Sequence, residues 1–170
     1  MSIKKTIDNN YGEAMEFIVL KGPANCGKSR TCKELKQIFE KKHNVKAKEI
    51  SYEELGLEAN IEKIYYFDRI EKYSICIVPP GDVVSEVQKI IHALCKRYKI
   101  DIFYVTDRSH RKNGQEILRN YKKDKKIVIF KSYIDWHGDE KNDSYIKNEM
   151  DENNKMTAEY LYGMFKRKYL

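Results

Sequence analysis

At 170 residues, with 41% hydrophobic and 35% charged residues, the chain has the size and balance of one globular domain with a sizeable core. Disorder is excluded by that balance, and a membrane-spanning helix by the lack of any run near the roughly 18 apolar residues a bilayer requires. The formal net charge of +7 suits phosphate-rich ligands, or else a solvated lysine-rich surface.

The charge is uneven. Residues 108–131 carry nine Lys or Arg against two acids, whereas 135–155 carry seven acids against three bases. Cys26, Cys32, Cys76 and Cys95 have spacings of six, 44 and 19, which fit neither a CxxC pair nor a zinc pattern. Reduced thiols in a cytoplasmic protein are the expectation. Met1 to Glu16 mixes charges and polar groups without an apolar run, so no secretory leader is expected.

In chain order, Phe17-Ile18-Val19-Leu20 is a continuous apolar run of the kind buried on both faces of a sheet. A glycine-rich loop follows, then a helix over 28–42 whose Cys32, Leu35, Ile38 and Phe39 recur at helical spacing. Residues 45–51 form a strand, and 64–67 and 73–78 two more, separated by a turn-length segment that permits an antiparallel hairpin. Pro79-Pro80-Gly81 stops the last of these, and Asp82 takes an N-cap position ahead of a helix marked by Val83, Val84, Val87, Ile90, Ile91, Leu94 and Tyr98. A strand over 100–106, a short helix over 115–121 and a strand over 127–130 come next. The polar stretch 135–155 reads as a mobile loop or insertion, either a lid over a ligand site or a passive surface loop. A helix over 156–168 closes the chain. The alternation predicts one α/β domain over 1–170, with a mainly parallel sheet of about five strands flanked by helices in three layers.

The octet Gly22-Pro23-Ala24-Asn25-Cys26-Gly27-Lys28-Ser29 satisfies GxxxxGK[ST] between a buried strand and an amphipathic helix, the context that such a motif requires. Gly22 and Gly27 permit backbone turns closed to other residues and a close approach to phosphate oxygens. Successive N–H groups and the helix start form an anion site. Lys28 supplies a compact positive charge for the β- and γ-phosphates, and the Ser29 hydroxyl a ligand for Mg²⁺. Arg30 and Thr31 stand where an α-phosphate would lie. Cys26 offers an alkylation handle.

A carboxylate is needed near the metal, and three strand ends supply one: Asp68, Asp82 and Asp107. Asp82 is preferred, because Gly81 lets the backbone pass close to a ligand, with Asp107 second. Each has a plainer reading as a cap or turn residue. Arg108 and Arg111 suit triphosphate bracing or a lid, against the alternative of an exposed basic loop.

The octet resembles the Walker A motif of the P-loop NTPase superfamily. With Gly81-Asp82 at a helix start and the strand Asp101–Thr106, roughly the first 130 residues resemble small bacterial ATP-binding proteins of unassigned role. The resemblance implies ATP binding and a metal role for Asp82, and leaves the reaction open. Two departures are the Pro79-Pro80 break before Asp82 and the lack of an NKxD signature, the second favouring ATP over GTP. The expected function is ATP-Mg hydrolysis or γ-phosphoryl transfer to a small acceptor, with Lys28, Asp82, Arg108 and Arg111 as catalytic candidates. The alternative is an ATP-gated binding or regulatory module, nucleic-acid-associated through residues 108–131, although no RRM, KH or helix-turn-helix pattern is evident. No membrane partner is expected.

Overall fold

The computed structural model describes residues 16–23, 25–79, 84–108, 126–131 and 143–170. These form strands β1 (Glu16–Gly22), β2 (Lys48–Ile50), β3 (Ile64–Ile70), β4 (Tyr73–Val78), β5 (Ile102–Arg108) and β6 (Lys126–Phe130). The helices are α1 (Lys28–His43), α2 (Val84–Arg97) and α3 (Ser144–Tyr169), with a short 3₁₀ turn at Glu53–Leu55. The strands make one mixed sheet in the order β2-β3-β4-β5-β1-β6. β1 lies between β5 and β6, parallel to both, and β4 is parallel to β5. β3 runs antiparallel to both of its neighbours, so the expected hairpin is present and the sheet has six strands where about five were expected.

Alternation along β1 explains why its apolar run is unbroken. Phe17 and Val19 face one side with Phe103, Val105, Cys76 and Val78, where Val87, Ile90, Ile91 and Leu94 of α2 cover them. Ile18 and Leu20 face the other side with Ile102, Tyr104, Ile75 and Ile77, beneath Cys32, Leu35 and Phe39 of α1 and Ala158, Leu161 and Phe165 of α3. Helices therefore lie on both faces of the sheet. Phe39 is the hinge pin of the second layer, with Phe67, Tyr104, Tyr162 and Phe165 rings at centroid distances of 5.1 to 6.0 Å. Burying one such ring stabilises the fold by about 1.5–3 kcal/mol.

Residues 144–155 are helical, which corrects the expectation of a loop across 135–155. The segment lacks an apolar stripe because much of what it meets is polar, and Asp143 caps it by accepting from the Ile146 N–H at 3.1 Å. Residues 135–142 and the expected helix at 115–121 lie outside the described residues. No helix among the described residues is long and apolar enough to cross a membrane.

Candidate functional site

β1 ends at Gly22, and the chain turns through the glycine-rich loop into α1. Two residues of that turn have positive φ, Asn25 at 59° and Gly27 at 89°. Asparagine is among the side chains that tolerate this region, and glycine enters it without steric cost. Gly22 is packed equally closely: a Cβ there would stand 2.7 Å from Cys26 Sγ and 3.2 Å from the Lys131 carbonyl oxygen.

Lys28, the first residue of α1, folds back over the loop. Its Nζ donates to the carbonyl oxygens of Gly22 (3.1 Å) and Pro23 (2.6 Å), and lies 3.8 Å from Cys26 Sγ. The side chain is buried, and α1 has no acidic residue in its first turn. The positive end of the helix dipole and the ammonium thus face the same short loop without a carboxylate in that turn. Cys26 is buried too, which shields the thiol from alkylating reagents.

The next two positions diverge. Thr31 is fully buried, and its hydroxyl donates to the Gly27 carbonyl at 2.9 Å. Arg30 points outward to Asp151 of α3 at 3.2 Å. Ser29 donates from Oγ to Glu62 Oε2 at 3.4 Å. Ala24 lies outside the described residues.

Glu62 is the site residue that sequence reasoning missed. β3 is antiparallel to β4, so its amino end meets the carboxyl ends of β4 and β5. Glu62, just before Ile64, therefore arrives at the loop. Asp68 goes to the opposite end of the sheet, near the β4–β5 start where Ile75 pairs with Ile102, and there accepts from the Tyr66 hydroxyl at 3.1 Å. The expectation that Asp68 shares the loop's rim is wrong because it assumed a parallel strand.

Asp107 is buried at the end of β5, opposite Lys21 of β1, and its Oδ1 accepts from the Arg108 N–H at 2.8 Å. Alternation places its side chain on the α2 face with Phe103 and Val105, away from α1 and Ser29. Arg108 pairs in register with Gly22, so its backbone adjoins the loop. Asp82 and Arg111 lie outside the described residues. β4, which precedes Asp82 in sequence, is separated from β1 by β5, a distance of about 10 Å across two strand spacings.

Two further elements close on the loop. Asn154 of α3 is buried against Gly27, where a Cβ would fall well inside contact distance of Oδ1, and the Thr31 hydroxyl lies 3.5 Å from that oxygen. Lys131, the residue after β6, is buried and donates from Nζ to Asn153 Oδ1. Burial lowers the Lys131 pKa from its ordinary value, Lys28 lowers it further, and Cys26 opposes both. At the base of α1, burial pushes the Cys32 thiol up to about 12, with Glu62 adding and Lys28 opposing.

Among the described residues no group of three or more His, Cys, Asp or Glu is placed to hold a metal ion. Ser29 and Glu62 nevertheless form a pair of hard oxygen donors at the loop. Mg²⁺ is commonly held by one or two carboxylates together with substrate phosphates and waters, so the pair fits that ion. Compared with known protein families, curated proteins and solved structures, the chain gives no match.

Proposed function

We propose that the Gly22–Ser29 loop binds ATP with Mg²⁺, and that the protein hydrolyses ATP or passes its γ-phosphoryl group to a small acceptor. One observation carries the reading: Lys28 Nζ is held on the Gly22 and Pro23 carbonyls within a turn that contains two left-handed residues. The ammonium is thereby stored where an arriving phosphate would compete for it, and the loop N–H groups and α1 start add to the attraction. Ser29 and Glu62 would hold Mg²⁺, which when bound neutralises charge on the phosphates. Lys28 stabilises charge that develops at the γ-phosphate, and Arg108 of β5, paired in register with Gly22, would add to it. GTP is the less favoured nucleotide. A cytoplasmic location belongs to this reading, supported by four free thiols.

A second reading is an ATP-gated regulatory module without strong catalysis. It is favoured by the polar contacts that α3 makes beside the loop, Asp151 with Arg30, Asn153 with Lys131 and Asn154 with Thr31. Its nucleic-acid version rests on the basic 108–131 region, most of which lies outside the described residues.

Lys28→Met tests the main reading, since it keeps the buried stem and removes the charge. Calorimetry should show wild type binding ATP-Mg and the variant weaker by roughly 10- to 150-fold, as the loss of a charge-assisted contact implies. A thermal melt run alongside separates this from unfolding. Equal affinities in two folded proteins would overturn the reading, and ADP release with and without candidate acceptors separates hydrolysis from transfer.

A further inference from the structure

Lys131 is a buried cation that the motif does not use. It follows β6 directly, its N–H donates to the Lys21 carbonyl at 2.7 Å, and its own carbonyl abuts Gly22. The side chain is 5% exposed, yet among the described residues its ammonium has one hydrogen-bond partner, the amide oxygen of Asn153. An ammonium offers three donors, and a buried charge is ordinarily paired with an opposite one. Burial lowers its pKa overall, while at the loop Cys26 favours its charge and Lys28 opposes it. Lys28, whose ammonium is held on the Gly22 carbonyl, and Lys131, whose backbone packs on Gly22, are two buried cations at one glycine-rich turn, an arrangement that an anion would complete.

We propose that Lys131 is a second phosphate ligand of the loop, its backbone packed on Gly22 and its ammonium held in reserve by Asn153 until a polyphosphate arrives. The proposal rests on the loop being a nucleotide site and extends it to specificity. A site with two cations on separate elements selects ligands with several adjacent phosphates over monophosphates, because only a chain of phosphates can satisfy both at once. Binding transfers Lys131 Nζ from an amide oxygen to a phosphate oxygen, a stronger charge-assisted bond. Asn153 is released in the same step.

The test is titration calorimetry of ATP and AMP, both with Mg²⁺, against wild type, Lys131→Met and Asn153→Ala. Lys131→Met should weaken ATP by about 10- to 100-fold and AMP by clearly less. Asn153→Ala, which removes the competing acceptor, should bind ATP at least as tightly as wild type. Wild type and Lys131→Met binding ATP equally would overturn the assignment while leaving the loop reading intact. Wild type failing to bind ATP would instead remove the loop reading, and this inference with it. Should Lys131→Met prove unfolded, Asn153→Ala decides: tenfold weaker ATP binding there would mark the pair as structural and overturn the proposal.

Discussion

Glu62 Oε2 lies 3.4 Å from Ser29 Oγ although 33 positions separate the two residues. The contact exists because β3 enters the sheet antiparallel, delivering its amino end to the loop. Glu62→Gln should therefore leave ATP binding in EDTA unchanged and remove about tenfold or more of the additional affinity conferred by Mg²⁺. Asp107→Asn should have the smaller effect, its side chain lying on the α2 face, and Asp82→Asn is the third arm. If Asp82→Asn alone abolishes the Mg²⁺ effect, the metal carboxylate follows β4 and Glu62 only orients Ser29.

Gly27 should tolerate no side chain, for two separable reasons. Its φ of 89° costs a non-glycine residue on the order of 1–3 kcal/mol, and an added Cβ runs into Asn154. Urea unfolding of Gly27→Ala, Asn154→Ala and the double variant forms a cycle that separates them. Gly27→Ala should cost less in the Asn154→Ala background, with the backbone part remaining. An identical cost in both backgrounds would show that α3 does not press on the loop in solution.

Stability should fall at alkaline pH. Burial raises the Cys32 thiol from 9.0 to about 12, and does the same for Cys95. Above pH 9 the unfolded chain loses these protons while the folded chain keeps them, so stability is complete below 9 and declines from 9 to 12. Lys131, lowered from 10.5, acts in the opposite sense just below that value, one group against several. By pH 12 the loss from Cys32 is on the order of a few kcal/mol. Urea midpoints at pH 8, 9.5 and 11 should drop in order, and Cys32→Ala should flatten part of the slope. A constant midpoint would mean that the thiols are not held neutral.

Much of the fold was legible because its strands are short apolar runs and its helices α1 and α2 carry clear periodicity. Phe17–Leu20 and Ile75–Val78 announce burial on two faces. What the reading could not supply was strand direction. A residue just after a strand points to the loop end only if that strand is parallel to β1, and β3 is not, so the sequence pattern points to Asp68 rather than Glu62. The hairpin recognised between 64–67 and 73–78 held the missing signal, since reversing β3 exchanges its two ends. The amino half of α3 is hidden in the sequence for a different reason. Asn153 and Asn154 find their partners in Lys131 and in the Gly27–Thr31 turn, and tertiary polar contacts leave no periodic trace in sequence.

The position of β1 has a consequence for how the chain is made. It is among the first apolar segments in the sequence, yet its two sheet neighbours are β5 and β6, which begin at Ile102 and Lys126. During synthesis β2, β3 and β4 can pair locally while Phe17–Leu20 has no strand to join. This interior strand, and the loop attached to it, must wait until well over half of the chain has emerged. Such non-local pairing slows folding and leaves an unpaired apolar edge in the meantime. A nascent chain halted before residue 100 would display that strand uncovered, as a binding site for chaperones.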